Sequence, residues 1–471
     1  MPVPDSTDLT VRQRRAAAAL LRKPATAVAG LAHQFALRDH ELVLVGGSVR
    51  DVFLGREHGD LDLATDARPD QVLQIAAGWA DKVWETGIEF GTIGLRKGDT
   101  VCEITTYRSE EYQPGSRKPG VKYGKSLEAD LSRRDFTVNA MALALPDLVV
   151  IDPYNGLTDL ASHRLRTPLA PEESFSDDPL RMLRAARFVA GYRLVPAPEL
   201  IDAVTRLRTR LDIVSRERIR DELDKLLMVD KPGDGLWFCV GTGLAEEFLP
   251  ELPALAVEQD PVHRHKDVLA HTIAVVENCR PDRILRLAAL FHDVGKPKTR
   301  SFGPGGTVSF HHHEVVGARM TRGRMRELRY PLDDVEKVSR LVELHLRFHT
   351  YAMGWSDSAV RRYGRDAGAL LELLNELTRA DCTTRNATKA KALGRRLDDF
   401  VRRQAELQQR EELAAIRPDL DGNEVMSLLG VRPGPVVGEA LDFLLDLRLD
   451  EGPLGKDEAT RRLLAWWQER T

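Results

Sequence analysis

Residues 42–65, LVLVGGSVRDVFLGREHGDLDLAT, decide the fold of the N-terminal part of the chain. Residues 42–45 form a short apolar run with β-branched members, which predicts a buried strand. Gly46 and Gly47 follow, and glycine lets the backbone turn sharply and approach a ligand closely. Residues 49–54 have room for one or two helical turns before Gly55. The stretch therefore predicts strand, tight turn, short helix and second strand.

The second strand, residues 60–63, carries two carboxylates on one face. Alternate residues of a strand point the same way, so Asp60 and Asp62 share a face while Leu61 and Leu63 point into the protein. Neighbouring carboxylates repel unless a cation lies between them. Mg²⁺ binds one or two carboxylates together with substrate phosphates, so the pair predicts a Mg²⁺ site. The alternative is a solvated strand edge with two chance aspartates.

Composition describes a globular chain of several domains. It has 471 residues, of which 30% are charged and 42% hydrophobic, with a net charge of −4. Length predicts two to four domains, and the charge provides no global basic field, so any nucleic acid must be held by local arginine clusters. The four cysteines are scattered without a CxxC pair, which fits a reducing cytosol and a cytoplasmic protein. The sequence contains no apolar run that is long enough to predict a membrane span, and it does not indicate an oligomeric state.

The order of patterns predicts an α+β fold in four parts. A head with a small mixed sheet occupies residues 16–168, and residues 16–37 within it are predicted to be helical rather than a signal peptide. An arginine-rich helical neck follows at 169–258. Most of the histidines lie in 259–390, and a helical tail occupies 391–471.

Glu103 is the candidate third carboxylate of the head. Residues 101–107 read as a strand with Glu103 on one face, and a neighbouring antiparallel strand would bring it beside Asp60 and Asp62. It would complete a metal site or accept the proton of an attacking hydroxyl. A surface glutamate is the alternative. The polar segment 108–124 that follows predicts a mobile loop beside the site, or an inert surface loop.

Residues 131–140, LSRRDFTVNA, interrupt a helix-compatible apolar segment with polar side chains. Arg134 could bind a triphosphate through charge-assisted hydrogen bonds. Asp135 and Asn139 could contact a ribose. An exposed, salt-bridged helix is the alternative.

Residues 176–188 predict a helix that begins at Asp178 and Pro179 and carries Arg181 one turn later. Such an Asp–Arg pair can read a base, because aspartate accepts from an exocyclic amine and arginine donates to a ring nitrogen. Cytosine and adenine present that pattern, whereas uracil and guanine present a carbonyl beside an N–H. The pair would accept CTP and ATP and reject UTP and GTP, since a mismatch leaves buried polar groups unpaired. A capped structural helix is the alternative.

In this order, GGSVRD…GDLDLAT, EITTYR, LSRRDFTVNAMAL, DDPLRMLRAARF and SRERIRDEL (residues 215–223) resemble the class II CCA-adding tRNA nucleotidyltransferases and bacterial poly(A) polymerases, whose head belongs to the DNA polymerase β superfamily. The resemblance implies that Asp60, Asp62 and Glu103 are catalytic and that the first two bind Mg²⁺. The family usually shows Glu-Asp where this chain has Asp177-Asp178. Nucleotide contacts are implied at Gly46, Gly47, Arg50, Arg134, Asp135, Asn139, Asp178, Arg181, Arg184 and Arg187.

Nine of the 13 histidines lie between His263 and His349, and several stand at metal-ligand spacings. His271, His292, Asp293 and Asp381 on successive helices can converge on one divalent metal, and His313 and His345 can hold a second. The string HDVGKP resembles the HD phosphohydrolase superfamily. That likeness implies a divalent transition metal and 2′-phosphatase or 2′,3′-cyclic phosphodiesterase activity. A helical body with incidental histidines is the alternative.

These patterns together predict template-independent addition of C, C and A to tRNA 3′ ends from CTP and ATP. Poly(A) addition is the first alternative, and the absence of a long basic C-terminal extension disfavours it. Addition of CC only or A only is a further variant, and the length of segment 108–124 favours the full product. An HD phosphohydrolase with a nucleotide-sensing head is the alternative from another class. The turn at 430–438 in the tail is a candidate tRNA contact, or a plain corner between helices.

Overall fold

In a computed structural model, the described residues are 22–56, 60–111, 120–124, 126–147, 149–257, 267–303, 307–348, 355–382, 387–411 and 417–470. The chain divides into two compact units, Met1–Pro250 and Glu251–Thr471. Residues 16–21 and 112–119, on which two of the predictions fall, lie outside the described residues. Within the described ranges, no helix is both long and apolar enough to span a bilayer.

The first unit begins with a sheet wrapped by short helices. Its elements are α1 (Arg22–Ala36), β1 (Val43–Val45), α2 (Gly47–Phe53), β2 (Asp60–Thr65), α3 (Pro69–Ala76), β3 (Lys82–Trp84), β4 (Thr92–Lys97), β5 (Thr100–Thr106), β6 (Arg108–Glu111), β7 (Gly120–Tyr123), α4 (Leu127–Ser132), β8 (Ala142–Ala144) and β9 (Val149–Ile151).

Seven of these strands form one mixed sheet in the order β3-β4-β5-β2-β1-β8-β9. Strands β2 and β5 are parallel, and the other neighbours are antiparallel. One face of the sheet packs on α1 and α3 through Leu61, Leu63 and Ile104, which are almost fully buried. The predicted α+β class and mixed sheet are therefore confirmed.

The structure corrects three local predictions. Segment 108–124 is not a loop throughout, because its ends pair as the antiparallel hairpin β6–β7. Segment 131–140 is not one helix, since α4 ends at Ser132 and a single 3₁₀ turn covers Thr137–Asn139. The sequence of residues 164–167, RLRT, also predicts a short strand, and the structure has one only over Arg164–Leu165.

Helices complete the first unit. They are α5 (Gly156–Ala161), α6 (Pro171–Asp177), α7 (Leu180–Tyr192), α8 (Pro198–Leu207), α9 (Arg216–Leu227) and α10 (Gly233–Gly241), with a small parallel pair, β10 (Arg164–Leu165) and β11 (Val195–Pro196). Helix α7 begins one residue later than predicted, with Pro179 as its cap residue. The Asp178 carboxylate still accepts from the N–H of Leu180 at 3.2 Å, so its capping role holds.

Where the structure describes it, the second unit is helical apart from one hairpin. Its elements are α11 (Val268–Asn278), α12 (Arg283–Phe291), α13 (Lys296–Thr299), β12 (Arg300–Phe302), β13 (Val308–Phe310), α14 (His313–Glu327), α15 (Leu332–Leu344), α16 (Asp357–Ala367), α17 (Leu371–Asp381), α18 (Ala387–Glu411), α19 (Gly422–Leu429), α20 (Pro435–Glu451) and α21 (Lys456–Gln468). Of the turn predicted at 430–438, residues 430–434 lie between α19 and α20, and residues 435–438 belong to the first turn of α20.

Candidate active site and metal centre

The Gly-Gly turn is joined directly to the acidic strand by Ser48. The Ser48 hydroxyl accepts from the N–H of Asp62 at 3.0 Å and donates to the carbonyl of Asp60 at 3.4 Å. Gly46 has φ 68°, a conformation that side chains disfavour. An added Cβ there would lie 2.9 Å from Nη1 of Arg134 and 3.9 Å from Oδ2 of Asp62. The turn therefore brings a carboxylate and a guanidinium to the same point and needs glycine there.

Three carboxylates lie on the sheet face opposite the α1–α3 core. Asp60 and Asp62 are exposed on β2, while Leu61 and Leu63 between them are buried. Glu103 is exposed on β5 and stands directly beside Asp62 in the register. The predicted antiparallel neighbour is wrong, because β5 runs parallel to β2. Neighbouring strands are about 4.8 Å apart, so the parallel pairing still places Glu103 next to Asp62.

Arg134 is positioned beside this face by a buried aspartate. The guanidinium lies 3.1 Å from Asp130, whose side chain is 1% exposed. Burial raises the pKa of Asp130, but Arg134 and Arg133 outweigh that effect, so the net pKa is lowered. The Nε of Arg134 is buried and has no hydrogen-bond partner among the described residues. The guanidinium atom that lies beside the Gly46 turn is Nη1.

Four of the predicted nucleotide contacts form one buried hydrogen-bonded chain. Arg50 donates to Asn139 at 2.5 Å, Asn139 donates to Asp135 at 2.9 Å, and Arg184 donates to Asp135 at 2.6 Å. Burial raises the pKa of Asp135, but Arg184 and then Asn139 reverse this and lower it to about 2. The chain connects the turn after β1 to helix α7 and gives Asp135 and Asn139 structural partners instead of leaving them open.

The predicted base-reading residues lie at the start of α7. Arg181 is 8% exposed, and its guanidinium donates to Oγ of Ser174 at 2.9 Å and to the carbonyl of Arg133 at 2.6 Å. Asp178 pairs with Arg218 of α9 at 2.7 Å. Arg187 donates to the buried Glu222. Each of the three predicted arginines of α7 therefore has a defined protein partner: Ser174 and the Arg133 carbonyl for Arg181, Asp135 for Arg184 and Glu222 for Arg187.

The second unit brings together all six predicted metal ligands. His271 Nε2, His292 Nε2 and Asp293 Oδ2 form a group whose ligand atoms lie within 4.8 Å of one another. Asp381 Oδ1 is 2.9 Å from His271 Nε2 and 3.6 Å from His292 Nε2. Helices α11, α12 and α17 therefore converge on one point, as the spacing predicts.

A second group uses the other oxygen of the same aspartate. Asp293 Oδ1 lies 3.4 Å from His313 Nε2 and 3.9 Å from His345 Nε2. The ligand atoms of these three residues also lie within 4.8 Å of one another. One buried carboxylate thus faces both groups. Among the described residues, the head carboxylates Asp60, Asp62 and Glu103 do not form a group this tight.

Hydrogen bonds prepare three of the histidines as ligands. The Nδ1 atoms of His292, His313 and His345 lie 2.7, 2.8 and 2.6 Å from the backbone carbonyls of Ala289, Phe310 and Val342. Each Nδ1 therefore carries a proton, and each Nε2 faces the ligand groups around Asp293. Burial lowers the pKa of His345 to about 3, so this ring is neutral. His313 Nε2 and His345 Nε2 are buried and have no hydrogen-bond partner among the described residues, so this donor set fits a divalent metal.

Sequence reasoning missed four residues that shape these sites. They are Ser48, Asp130, Lys296, which lies 2.6 Å from Asp293 Oδ2, and Arg218. Ser48 and Lys296 stand within quoted motifs, so their position was a usable signal. Asp130 pairs with Arg133 and Arg134 three and four residues further on, a local spacing that was also a usable signal. Arg218 stands in a quoted motif too, but it acts across the contact of α9 with α7, which one sequence does not reveal.

Comparison with known proteins places these parts in a family. A family model described as a poly A polymerase head domain matches residues 42–166, one described as an HD domain matches 268–386, and one described as a probable RNA and SrmB-binding site of polymerase A matches 195–255. A structure of the Bacillus stearothermophilus CCA-adding enzyme in complex with CTP has a TM-score of 0.70 at 24% identity, over 95% of this chain and 98% of that one. This likeness shows the fold.

Relatives match over nearly the full length. The A-adding tRNA nucleotidyltransferase of Deinococcus radiodurans is 33% identical over 91% of this chain and 96% of its own. The CC-adding tRNA nucleotidyltransferase of Thermus thermophilus is 32% identical over 90% and 93%. The CCA-adding enzyme of Bacillus subtilis is 40% identical, but over 44% of this chain and 51% of its own. The chain belongs to the family of tRNA nucleotidyltransferases that combine a poly A polymerase head with an HD domain.

Proposed function

We propose that this enzyme adds C, C and A to tRNA 3′ ends by nucleotidyl transfer from CTP and ATP. The observation that carries the proposal is the acidic face of β2 and β5. It lies beside a glycine turn and a guanidinium whose buried Nε lacks a partner among the described residues. Carboxylates for metal and an adjacent cation for phosphate are the two components that this reaction needs.

In the reaction, the 3′-hydroxyl of the RNA attacks the α-phosphorus of the nucleotide, and pyrophosphate leaves. Asp60 and Asp62 would hold Mg²⁺, which stabilises charge on the attacking and leaving oxygens. Glu103 beside Asp62 completes the acidic face and can accept the hydroxyl proton. Gly46 and Gly47 allow the phosphates close approach, and Arg134 orients them with charge-assisted hydrogen bonds.

Selection of the base rests on Asp178 and Arg181. An exocyclic amine can donate to Asp178, while a ring nitrogen accepts from an arginine N–H. This combination fits cytosine and adenine and leaves unpaired polar groups with uracil and guanine. Arg50, Asp135, Asn139 and Arg184 then hold α7 against the head through the chain of hydrogen bonds described above. Arg187 holds α7 to α9 through Glu222.

The number of nucleotides added is a separate question, because the full-length relatives are named for A addition and for CC addition. The proposal is tested by giving the enzyme one tRNA in three forms, ending before C74, after C74 and after C75, with all four nucleotides. We expect complete CCA ends in every case. Three results would contradict the proposal: products that stop at CC, extension only of the tRNA that ends after C75, or a long A tail. They would indicate CC addition, A addition and poly(A) addition, respectively.

We further propose a phosphohydrolase activity in the second unit, on 2′-phosphates or 2′,3′-cyclic phosphates of RNA ends. Two metal ions sharing Asp293 would fit the two ligand groups, and such ions activate water for phosphoester hydrolysis. A divalent transition metal fits the imidazole-rich donors. Metal content of the purified protein and of an Asp293→Asn variant tests the site independently of activity. Two equivalents lost on substitution support it, and unchanged metal content contradicts it.

A further inference from the structure

The Asp178 carboxylate has an arginine partner other than the one that sequence spacing suggests. Its Oδ2 lies 2.7 Å from Nη2 of Arg218, and its Oδ1 accepts from the N–H of Leu180 at 3.2 Å. Arg218 comes from α9, 40 residues further along the chain. A carboxylate accepts about four hydrogen bonds, so both contacts leave room for an additional donor.

Arg181 is poorly placed to act alone. Its guanidinium is 8% exposed and already donates to Ser174 and to the carbonyl of Arg133. Arg218, by contrast, keeps 47% of its side chain exposed, and Asp178 keeps 23%. Arginine has five N–H donors in a rigid fork, so a guanidinium held by one contact to Asp178 retains donors for a ligand.

We infer that Arg218 is a specificity-determining residue that reads the base together with Asp178. This inference rests on the proposed nucleotidyl transfer and deepens its base-reading site. The exocyclic amine of cytosine or adenine donates to Asp178, and the adjacent guanidinium of Arg218 supplies an N–H to the unprotonated ring nitrogen in addition to that of Arg181. Uracil and guanine would place a carbonyl against the carboxylate and an N–H against the guanidinium, so neither contact forms.

The strength of the contact fits this role. A half-exposed ion pair contributes little to folding, so its geometry can adjust to a base at small cost. The neighbouring arginines differ, since Arg184 and Arg187 are fixed by Asp135 and Glu222, whose side chains are 8% and 2% exposed. Arg218 is therefore the adjustable cation in this group.

The experiment compares Arg218→Gln, Arg218→Lys and a control, Arg220→Gln, on the same helix. Arg220 pairs with its neighbour Asp221. For each protein, kcat/KM is measured for CTP, ATP, UTP and GTP on tRNA lacking its 3′ end, with KM for tRNA and the Tm. Arg218→Gln should lower kcat/KM for CTP and ATP by about tenfold or more, the usual effect of losing a charged hydrogen bond. UTP and GTP should change little, so discrimination falls.

Arg218→Lys should retain part of the discrimination, and the control all of it, with Tm nearly constant throughout. Unchanged discrimination in Arg218→Gln would overturn the inference. So would a rise confined to KM for tRNA, which would make Arg218 an RNA-backbone contact. If the unmodified enzyme transfers no nucleotide, the proposed function fails by itself. Equilibrium binding of CTP and UTP to the unmodified protein and Arg218→Gln then decides the role of Arg218, since equal loss for both nucleotides contradicts it.

Discussion

Asp135→Asn is the substitution that best tests the buried chain joining the sheet to α7. The Asp135 carboxylate accepts from Arg184 at 2.6 and 2.9 Å, from Asn139 at 2.9 Å and from the N–H of Phe136 at 2.8 Å. Asparagine has the same shape but removes the charge. Arg184, whose pKa Asp135 holds above its usual range, would lose its main partner.

The size of the effect follows from the pKa. Asp135 has its pKa lowered from 3.8 to about 2, and a displacement of that size corresponds to about 2 kcal/mol of stability at neutral pH. Because the folded pKa is the lower one, this contribution is complete well above pH 4 and is lost as the pH falls towards 2. We therefore expect Asp135→Asn to destabilise the first unit by about 2 kcal/mol at pH 7 and by roughly half as much at pH 3.

The assay is urea unfolding followed by pulsed hydrogen exchange of peptides from the first unit, at both pH values. Asp221→Asn is the matched control, because Asp221 is 55% exposed and pairs with Arg220. An exposed pair of this kind contributes less than about 1 kcal/mol. An equal effect of both substitutions, or an Asp135→Asn effect that does not shrink at pH 3, would refute the reasoning.

Three further predictions concern the two sites. Gly46→Ala, at φ 68° and 2.9 Å from Arg134 Nη1, should cost about 1–2 kcal/mol of strain and raise KM for the nucleotide in steady-state assays; an unchanged KM would contradict the close approach. Glu103→Gln should lower kcat by about a hundredfold or more with the circular dichroism spectrum unchanged, whereas near-normal kcat would remove Glu103 from the site. Asp293→Asn should abolish hydrolysis of 2′,3′-cyclic nucleotides while nucleotidyl transfer continues, and loss of both activities would argue against independent sites.

The sequence predicted those features that local chemistry controls. Alternation along β2 gave the outward direction of Asp60 and Asp62, since burial of Leu61 and Leu63 leaves only one register. Histidine spacing on successive helices likewise predicted which residues of the second unit lie close enough together to bind a metal. In both places the period of the element and the burial of its apolar residues carry the information.

Contacts that depend on how helices and strands pack against one another were harder to predict from the sequence. The direction of β5 was predicted wrongly, because a strand reads the same whether its neighbour is parallel or antiparallel. Arg218 reaches Asp178 only because α9 packs against α7. The sequence of neither helix predicts this ion pair. The shared position of Asp293 between two ligand groups likewise depends on the orientation of one carboxylate.

The most direct test of the central claim is incorporation of labelled CMP into tRNA lacking CCA by the Asp60→Ala, Asp62→Ala double variant. Asp70→Ala serves as control, since Asp70 is an exposed residue of α3 on the same unit. The acidic face of β2 predicts that transfer disappears in the double variant and persists in the control, with the metal content of the second unit unaltered. Transfer that survives the loss of both carboxylates would contradict this assignment of the active site.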